Sequence, residues 1–580
     1  MLKIVIFLIL LIVLSITIPN NVLAQPESDL KYFGKGIVTG ENFTNGRIWT
    51  GISGDQSTVI AQWDIGRSKI ISDIFPSSDC EPNYQICVDA TVTSSDNSAA
   101  VKVGDKFQIK IDTIDKKQVI VGKFGFLENI MIDVDITKSY EKTTTLSAQE
   151  AQSIAVDAYI YGFPLVMMDM TSKIMTNVPN AGAFTSPVNQ FAHLDVFPDP
   201  NFTAVATASV DTLYSTAFLD LSDEPIVLHV PDTDDRYYLM QIMDAWTNVF
   251  DSPGTRTTGA LSGDFVITGP FWDGSIPEGT TQIKSPTNLV WILGRTQTNG
   301  VSDYDSVHAI QKQYALTPLS SFGKSYLPPK DLSVDSKIDM KTATVNQVAA
   351  MDATTFFDRF SLLMQDNPAS SADSEALKKF EKIGLVPGKP FNTDKIDSET
   401  LDLAVKAAHQ KISDEWKIFG TVSNGWQIVT GLGTYGTDYT TRAMISWYAI
   451  GANLQEDAMY PKTSIDADGD ALNGKNKYVI HFAADKTPPV NAFWSITLYN
   501  SEQFFVKNSI DKYAIGDRDN LVFNNDGSLD IYIQNETPQG KESNWLPSPQ
   551  ENFTLVMRMY WPQPEILSGE WTPPAVDLLE

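Results

Sequence analysis

The hydrophobic period of this chain changes twice, and that change limits the folds open to it. Residues 185–300 alternate apolar and polar side chains, as in Pro225-Ile-Val-Leu-His-Val230 and Arg236-Tyr-Tyr-Leu-Met-Gln-Ile-Met-Asp244. Gly and Pro punctuate them at Pro253-Gly254, Gly269-Pro270 and Pro277. Period two with turn residues at intervals means strands. Residues 303–420 switch to helical period. Leu401, Val405, Ala408, Ile412, Trp416 and Phe419 fall three or four apart, on one face of a helix over 399–419. From Tyr478 to Trp561 the strand period returns. Ahead of all this, residues 30–138 read as six to eight short strands, and Glu141-Lys-Thr-Thr-Thr as a polar linker. Ser147-Ala-Gln-Glu150 is a capping box opening a helix that should kink or stop near Pro164. The fold class expected is multidomain and mainly β, with β-sandwich-like parts and a helical insertion, α+β overall. The parts are 25–140 (a small all-β domain), 147–300 (β with a leading helix), 301–465 (helical) and 466–575 (β). No short-period repeat is present, and the sequence does not show whether the two β segments flanking the helices are related.

The first 24 residues are different in kind. Lys3 precedes the apolar run Ile4–Ile18, Pro19-Asn-Asn21 breaks it, and Val22-Leu23-Ala24 offers the small residues of a cleavage site. This predicts a signal peptide, hence a secreted, cell-surface or periplasm-like location; an uncleaved anchor is the alternative. Two cysteines, Cys80 and Cys87, flank a loop-like stretch, and an oxidising compartment favours a disulfide between them. Of 580 residues, 71 are acidic and 43 basic, a net charge of -28, so no nucleic-acid partner is expected. No second long apolar run occurs, so no membrane span is expected after cleavage.

Several kinds of chemistry lack their signatures. The five histidines, of which His193 sits in the most suggestive polar-aromatic run, have no metal-ligand spacing. There is no Gly-x-Ser-x-Gly elbow and no phosphate loop. Gly431-Leu-Gly433-Thr-Tyr-Gly436 fits a dinucleotide pattern, but no acidic residue ends a following parallel strand, so a tight glycine turn before a helix is the better reading. Asp466-Ala-Asp468-Gly-Asp470 lacks the closing Glu of a calcium loop and reads as an acidic turn. No metal and no cofactor are expected.

What remains is polar residues set into apolar strands. In strand period Tyr238, Met240, Ile242, Asp244 and Trp246 share a face. A carboxylate there needs a partner, and Arg256 is the nearest candidate, Arg295 the second. An Arg held by a buried Asp can turn its free donors to a carboxylate or phosphate; a structural ion pair is the alternative. Near the C-terminus, Trp494, Ile496 and Leu498 oppose Thr497 and Tyr499, while Leu555, Met557 and Met559 oppose Arg558 and Tyr560. The polar faces read as either solvated or ligand-binding.

Val210-Asp-Thr-Leu-Tyr-Ser215, Asp244-Ala-Trp-Thr-Asn248, Gly254-Thr-Arg-Thr-Thr-Gly259 and Gly269-Pro-Phe-Trp272 together resemble the DUF1254 half of the paired DUF1254/DUF1214 proteins. Ala492-Phe-Trp-Ser-Ile-Thr-Leu-Tyr499, Ile515-Gly-Asp-Arg518, Asn544-Trp-Leu-Pro547 and Arg558-Met-Tyr-Trp561 resemble the DUF1214 half, and Tyr435-Gly-Thr-Asp438 in the middle also fits. The resemblance covers about 147–575 and leaves 25–145 as an addition. It implies an exported, β-rich fold with a helical insertion, and no assigned activity. Ser209 stands where the family usually has Asn. The expected function is binding of a small anionic or glycan-like ligand in a β-lined cleft, with Tyr238, Arg256, Arg518, Trp545 and Arg558 as binding residues. One alternative is a metal-independent hydrolase, with Asp211, Asp244 and Tyr214 as catalytic candidates. Another is a structural envelope protein without a small ligand. Self-association into a homo-oligomer is left open.

Overall fold

A computed structural model describes the backbone of eight strand segments between residues 30 and 135 and of 102–104, and describes 146–202 and 206–579 in full. The expected signal peptide at 1–24, Cys80 and the Cys87 side chain lie outside the described residues. The chain divides into two compact units, Met1–Thr145 and Leu146–Glu580. In the first, β1 (Leu30–Gly40), β2 (Phe43–Ser53), β3 (Val59–Ile65), β4 (Ser68–Pro76), β5 (Ile86–Ser95), β6 (Lys106–Ile114), β7 (Lys117–Phe124) and β8 (Leu127–Asp135) pair antiparallel in sequence order. β1 also pairs with β8, which closes the sheet.

The second unit opens with α1 (Ala148–Thr176), capped by the reciprocal Ser147–Glu150 box that the sequence predicts. It neither stops nor ends at Pro164, which lies inside it. Every residue from Ala158 to Asp169 is buried, so the helix is enclosed all round and its packing holds the turn that Pro164 weakens. Around it pack α3 (Thr344–Ala349), α4 (Ala353–Leu363), α5 (Ser374–Glu381), α6 (Ser398–Ile418) and α7 (Tyr439–Tyr448), sharing one core that includes Phe163, Phe356, Phe360 and Ile412. α6 buries Leu401, Val405, Ala408 and Ile412, as its period requires. The glycine-rich segment is a turn ahead of α7: Gly431, Gly433 and Gly436 take positive φ, and Gly433 O accepts the Val249 N–H at 2.6 Å. Among the described residues, no helix is long and apolar enough to cross a membrane.

Two β-sandwiches complete the unit. The first comprises β9 (Ala192–His193), β10 (Thr212–Asp220), β11 (Ile226–Val230), β12 (Tyr238–Asp244), β13 (Val249–Asp251), β14 (Gly263–Thr268), β15 (Thr281–Lys284), β16 (Leu289–Gln297) and β17 (Ala315–Pro318), with α2 (Tyr304–Gln311) before the last strand. The sheets run β13-β12-β16-β10-β9 and β15-β14-β11-β17. The second comprises β18 (Thr421–Ser423), β19 (Trp426–Ile428), β20 (Ala458–Met459), β21 (Lys462–Thr463), β22 (Lys477–Phe482), β23 (Val490–Asn500), β24 (Ala514–Gly516), β25 (Leu529–Gln534), β26 (Trp545–Pro547), β27 (Phe553–Pro562) and β28 (Val576–Leu579), with α8 (Pro564–Leu567) before β28. Its sheets run β18-β19-β21-β27-β23-β24 and β26-β25-β22-β28, and β20 also pairs with β27.

The two orders are the same order. β11 to β17 correspond one for one to β22 to β28, including the parallel pairs β14–β15 and β25–β26 and the short helix before the last strand. Even a surface detail repeats: His229 Nδ1 lies 2.7 Å from Asp264 on β14, and His481 Nδ1 lies 2.7 Å from Asp530 on β25. The chain thus contains two copies of one sandwich, with most of the helices inserted between them.

Candidate functional site

Each sandwich has an apolar face turned inward and a polar face turned outward from its own core. In the first, Tyr238, Met240 and Ile242 point into the core, so Leu239, Gln241 and Met243 point out, beside Arg295, Leu293 and Trp291 of β16 and Tyr214, Thr216 and Phe218 of β10. In the second, Trp494, Ile496 and Leu498 fill the core, and Phe493, Ser495, Thr497 and Tyr499 point out beside Tyr560 and Arg558. The second face is not solvated: Thr497, Tyr499, Arg558 and Tyr560 are all buried. The two polar faces meet. Tyr237 and Phe493 rings lie edge to face at 5.7 Å, and Tyr499 donates to Ala208 O at 2.6 Å.

The ionic contacts across this junction exchange partners, as across a two-fold axis. Arg518 of the second copy pairs with Asp211 of the first, whose other oxygen accepts from Ser495 Oγ at 2.7 Å. Arg256 of the first pairs with Asp457 of the second at 2.6 Å. The register makes these residues equivalents. Gly254 and Gly516 each press against the neighbouring strand, at Tyr238–Leu239 and at Trp494–Ser495, and each stands two residues before its arginine. Thr298 N–H donates to Asp211 O at 2.9 Å, and Trp561 N–H to Asp457 O at 2.8 Å. Asp211-Thr-Leu-Tyr214 thus matches Asp457-Ala-Met-Tyr460, and Gly254-Thr-Arg256 matches Gly516-Asp-Arg518.

A third matching pair sits between the salt bridges. Arg295 Nη1 donates to Gln241 Oε1 at 2.9 Å, its guanidinium 5.4 Å from the Tyr214 ring centre. Arg558 Nη1 donates to Thr497 Oγ1 at 2.7 Å, its guanidinium 6.0 Å from the Tyr460 ring. In both, the acceptor lies two residues beyond the arginine's cross-strand partner, Leu239 or Ser495. Arg558 Nη2 also donates to Thr207 O and Tyr499 Oη, both at 2.7 Å. Thr207 holds a positive φ, 53°, unusual for a β-branched residue, so Arg558 grips backbone in a strained conformation. Arg295 is 6% exposed and Arg558 4%, and among the described residues neither touches a carboxylate.

Four carboxylates serve four guanidiniums here, but unevenly. Asp211 touches Arg518 and acts on Arg558 at longer range; Asp457 touches Arg256 and acts on Arg295. Asp517 stands 3.9 Å from Arg518, and Glu456 acts on Arg256, so the further carboxylates also fall to the arginines that are already paired. The phenols supply no charge to Arg295 or Arg558. Burial pushes Tyr460 and Tyr499 up to about 12, so both stay neutral at pH 7. Tyr560 is raised well above its ordinary value by burial as well. Asp517 and Glu456 stand near the rim, and burial pushes Asp517 up to about 6.

The structure brings together Asp211, Tyr214, Arg256, Arg518 and Arg558 from the residues expected. It separates the others. Asp244 does not pair with Arg256: its oxygens accept from Trp246 N and Asn248 N, both at 2.9 Å, and from the Asn248 amide, closing the turn after β12. Burial pushes it up to about 6. Tyr238 faces the sandwich core, its hydroxyl 3.3 Å from Thr258 Oγ1. Trp545 lies on β26, in a different sheet, with its indole N–H given to Gln534 O. Asp211 and Asp244 have all four oxygens engaged, so neither is placed to act as a base. His193 Nδ1 lies 2.9 Å from Ser215 Oγ, on the opposite face of β10 from Tyr214. Ser209 takes the turn position of the usual Asn, its hydroxyl accepting the Asp211 N–H at 3.0 Å. Asp457 and Tyr460 complete the cluster without having been assigned to it from sequence, and the repeated Asp-x-x-Tyr was their signal; Arg295, named there as a second partner for Asp244, joins them instead.

Fold and site define a protein of two equivalent β-sandwiches joined face to face through buried arginines. Residues 188–318 match the DUF1254 family model and 457–564 the DUF1214 model, each described as a protein of unknown function. The chain carries both domains, and they coincide with the two sandwich copies. No curated protein matches it. The crystal structure of the VPA0106 protein from Vibrio parahaemolyticus is similar, with a TM-score of 0.57 and 25% identity over 74% of this chain and 100% of that one. An uncharacterised protein from Burkholderia cenocepacia gives 12% identity and a TM-score of 0.34, over 75% and 94%, too low a score to bear on the fold.

Proposed function

We propose that this is an exported protein that binds a small anionic ligand between its DUF1254 and DUF1214 domains. Export rests on the apolar run Ile4–Ile18 and the small residues before Gln25. The ligand rests on one observation: Arg295 and Arg558 are buried and, among the described residues, have only neutral groups in contact. Burying a charge without a counter-ion costs several kcal/mol, roughly, so such a charge is normally paired. A guanidinium fork is shaped for a carboxylate or phosphate, and Tyr214 and Tyr460 beside the forks are only half-buried. That favours an acid over a neutral glycan, because a sugar would leave both guanidiniums without an ion in contact.

A thermal-shift screen tests this. Small carboxylates or phosphate at millimolar concentration should raise the melting temperature by several degrees over matched sodium chloride, and neutral sugars should not. An unchanged melting temperature with every acid, or stabilisation by sugars alone, would reject the anionic site.

A further inference from the structure

The two guanidiniums that no carboxylate touches among the described residues occupy equivalent positions, and this specifies the ligand further. Each sandwich contributes one arginine–tyrosine unit, Tyr214–Arg295 on adjacent strands β10 and β16, and Arg558 on β27 with Tyr460 between β20 and β21, which both pair with β27. Arg558 donates to Thr207 O and Ser495 Oγ to Asp211, each bond 2.7 Å long and crossing from the second sandwich to the chain leading into and opening the first, so the units lie along one junction. The paired salt bridges Asp211–Arg518 and Asp457–Arg256 fix the copies in this relation. Each unit keeps one guanidinium that no carboxylate touches among the described residues, whereas Arg256 and Arg518 each have one in contact. One acid group per unit would give Arg295 and Arg558 a direct ionic partner.

We propose that the ligand is a small dicarboxylate, with one acid group on Arg295 and Tyr214 and the other on Arg558 and Tyr460. This rests on the anion-binding reading and adds to it the number of acid groups. A planar carboxylate accepts two parallel N–H bonds from a guanidinium edge, and an adjacent phenol can donate to the remaining lone pair, Tyr460 by giving up its present bond to Asn453 Oδ1 at 2.9 Å. A monoacid fills one unit and leaves the other guanidinium buried without an anion. A diacid whose carboxylates match the spacing satisfies both for a single loss of translational freedom.

Titration calorimetry of the full chain with succinate, glutarate and adipate, against butyrate at equal ionic strength, tests the assignment. The expected result is one diacid bound per chain, with the best-fitting member at least about ten-fold tighter than butyrate. Arg295→Gln and Arg558→Gln should each bring that diacid down to the affinity of butyrate. Because Arg558 also holds the Thr207 carbonyl, Tyr214→Phe and Tyr460→Phe serve as milder variants, each expected to weaken the diacid several-fold without unfolding. Butyrate binding as tightly as every diacid, or full diacid affinity surviving in either tyrosine variant and in Arg295→Gln, would overturn the two-acid assignment while leaving an anion site standing. No binding of butyrate, any diacid or inorganic phosphate would overturn both.

Discussion

Asp211 and Asp457 are each 1% exposed, and each touches an arginine from the other sandwich. Removing one member of a buried pair leaves the other charge without a partner, which costs about 3–5 kcal/mol. Asp211→Asn and Asp457→Asn should therefore lower unfolding free energy by about 3 kcal/mol each, the lower end because Arg256 and Arg518 keep roughly a fifth of their side-chain exposure. Denaturant unfolding monitored by tryptophan fluorescence measures this; a loss under about 1 kcal/mol for both would show the pairs to be incidental. At this scale the sequence was informative about which residues matter and poor on whom they meet. Asp211, Arg256, Arg518 and Arg558 stand out because charge interrupts apolar alternation. Their partners do not, since Arg256 and Asp457 are far apart in the chain and only the packing of two sheets joins them. Asp244 misled for the same reason: Arg256 is near in sequence, whereas the turn N–H groups of Trp246 and Asn248 are nearer in space.

Strands were the most legible elements. Trp494, Ile496 and Leu498 alternate with Ser495, Thr497 and Tyr499, and period two fixed the two faces of β23 without any structure. What covers the polar face was not legible, because a face of Ser, Thr, Tyr and Arg suits water, ligand and a second polar face alike. Local propensity disfavours proline inside a helix, so a kink or a stop is expected near Pro164; α1 does not stop there, and enclosure on all sides holds it continuous to Thr176. The close strand contacts at Gly254 and Gly516 are elements of the same kind in both copies. A Cβ on Gly254 would lie 2.6 Å from Tyr238 O, and one on Gly516 would lie closer still to Trp494 O. Gly254→Ala and Gly516→Ala should each destabilise by about 1–3 kcal/mol through overpacking, with Gly516→Ala the worse. Thermal melts of the two variants check the order; wild-type melting temperatures for both would contradict the register equivalence of these turns.

For the whole molecule, the duplicated sandwich explains why the site lies where it does. Two copies meeting face to face bury whatever their outer faces carry, and here those faces carry more arginine than aspartate. The duplication itself left little in the sequence beyond Asp-x-x-Tyr and Gly-x-Arg, since sandwich cores accept many apolar residues of similar volume. In our proposal Arg295 and Arg558 are kept for a ligand and are not internal rivets. Arg295→Met, which keeps the side chain's bulk and removes its charge, separates the two directly. We expect its melting temperature without ligand to equal or exceed that of the wild type, with the acid-induced rise lost. A melting temperature several degrees lower, with acids stabilising variant and wild type alike, would contradict the claim.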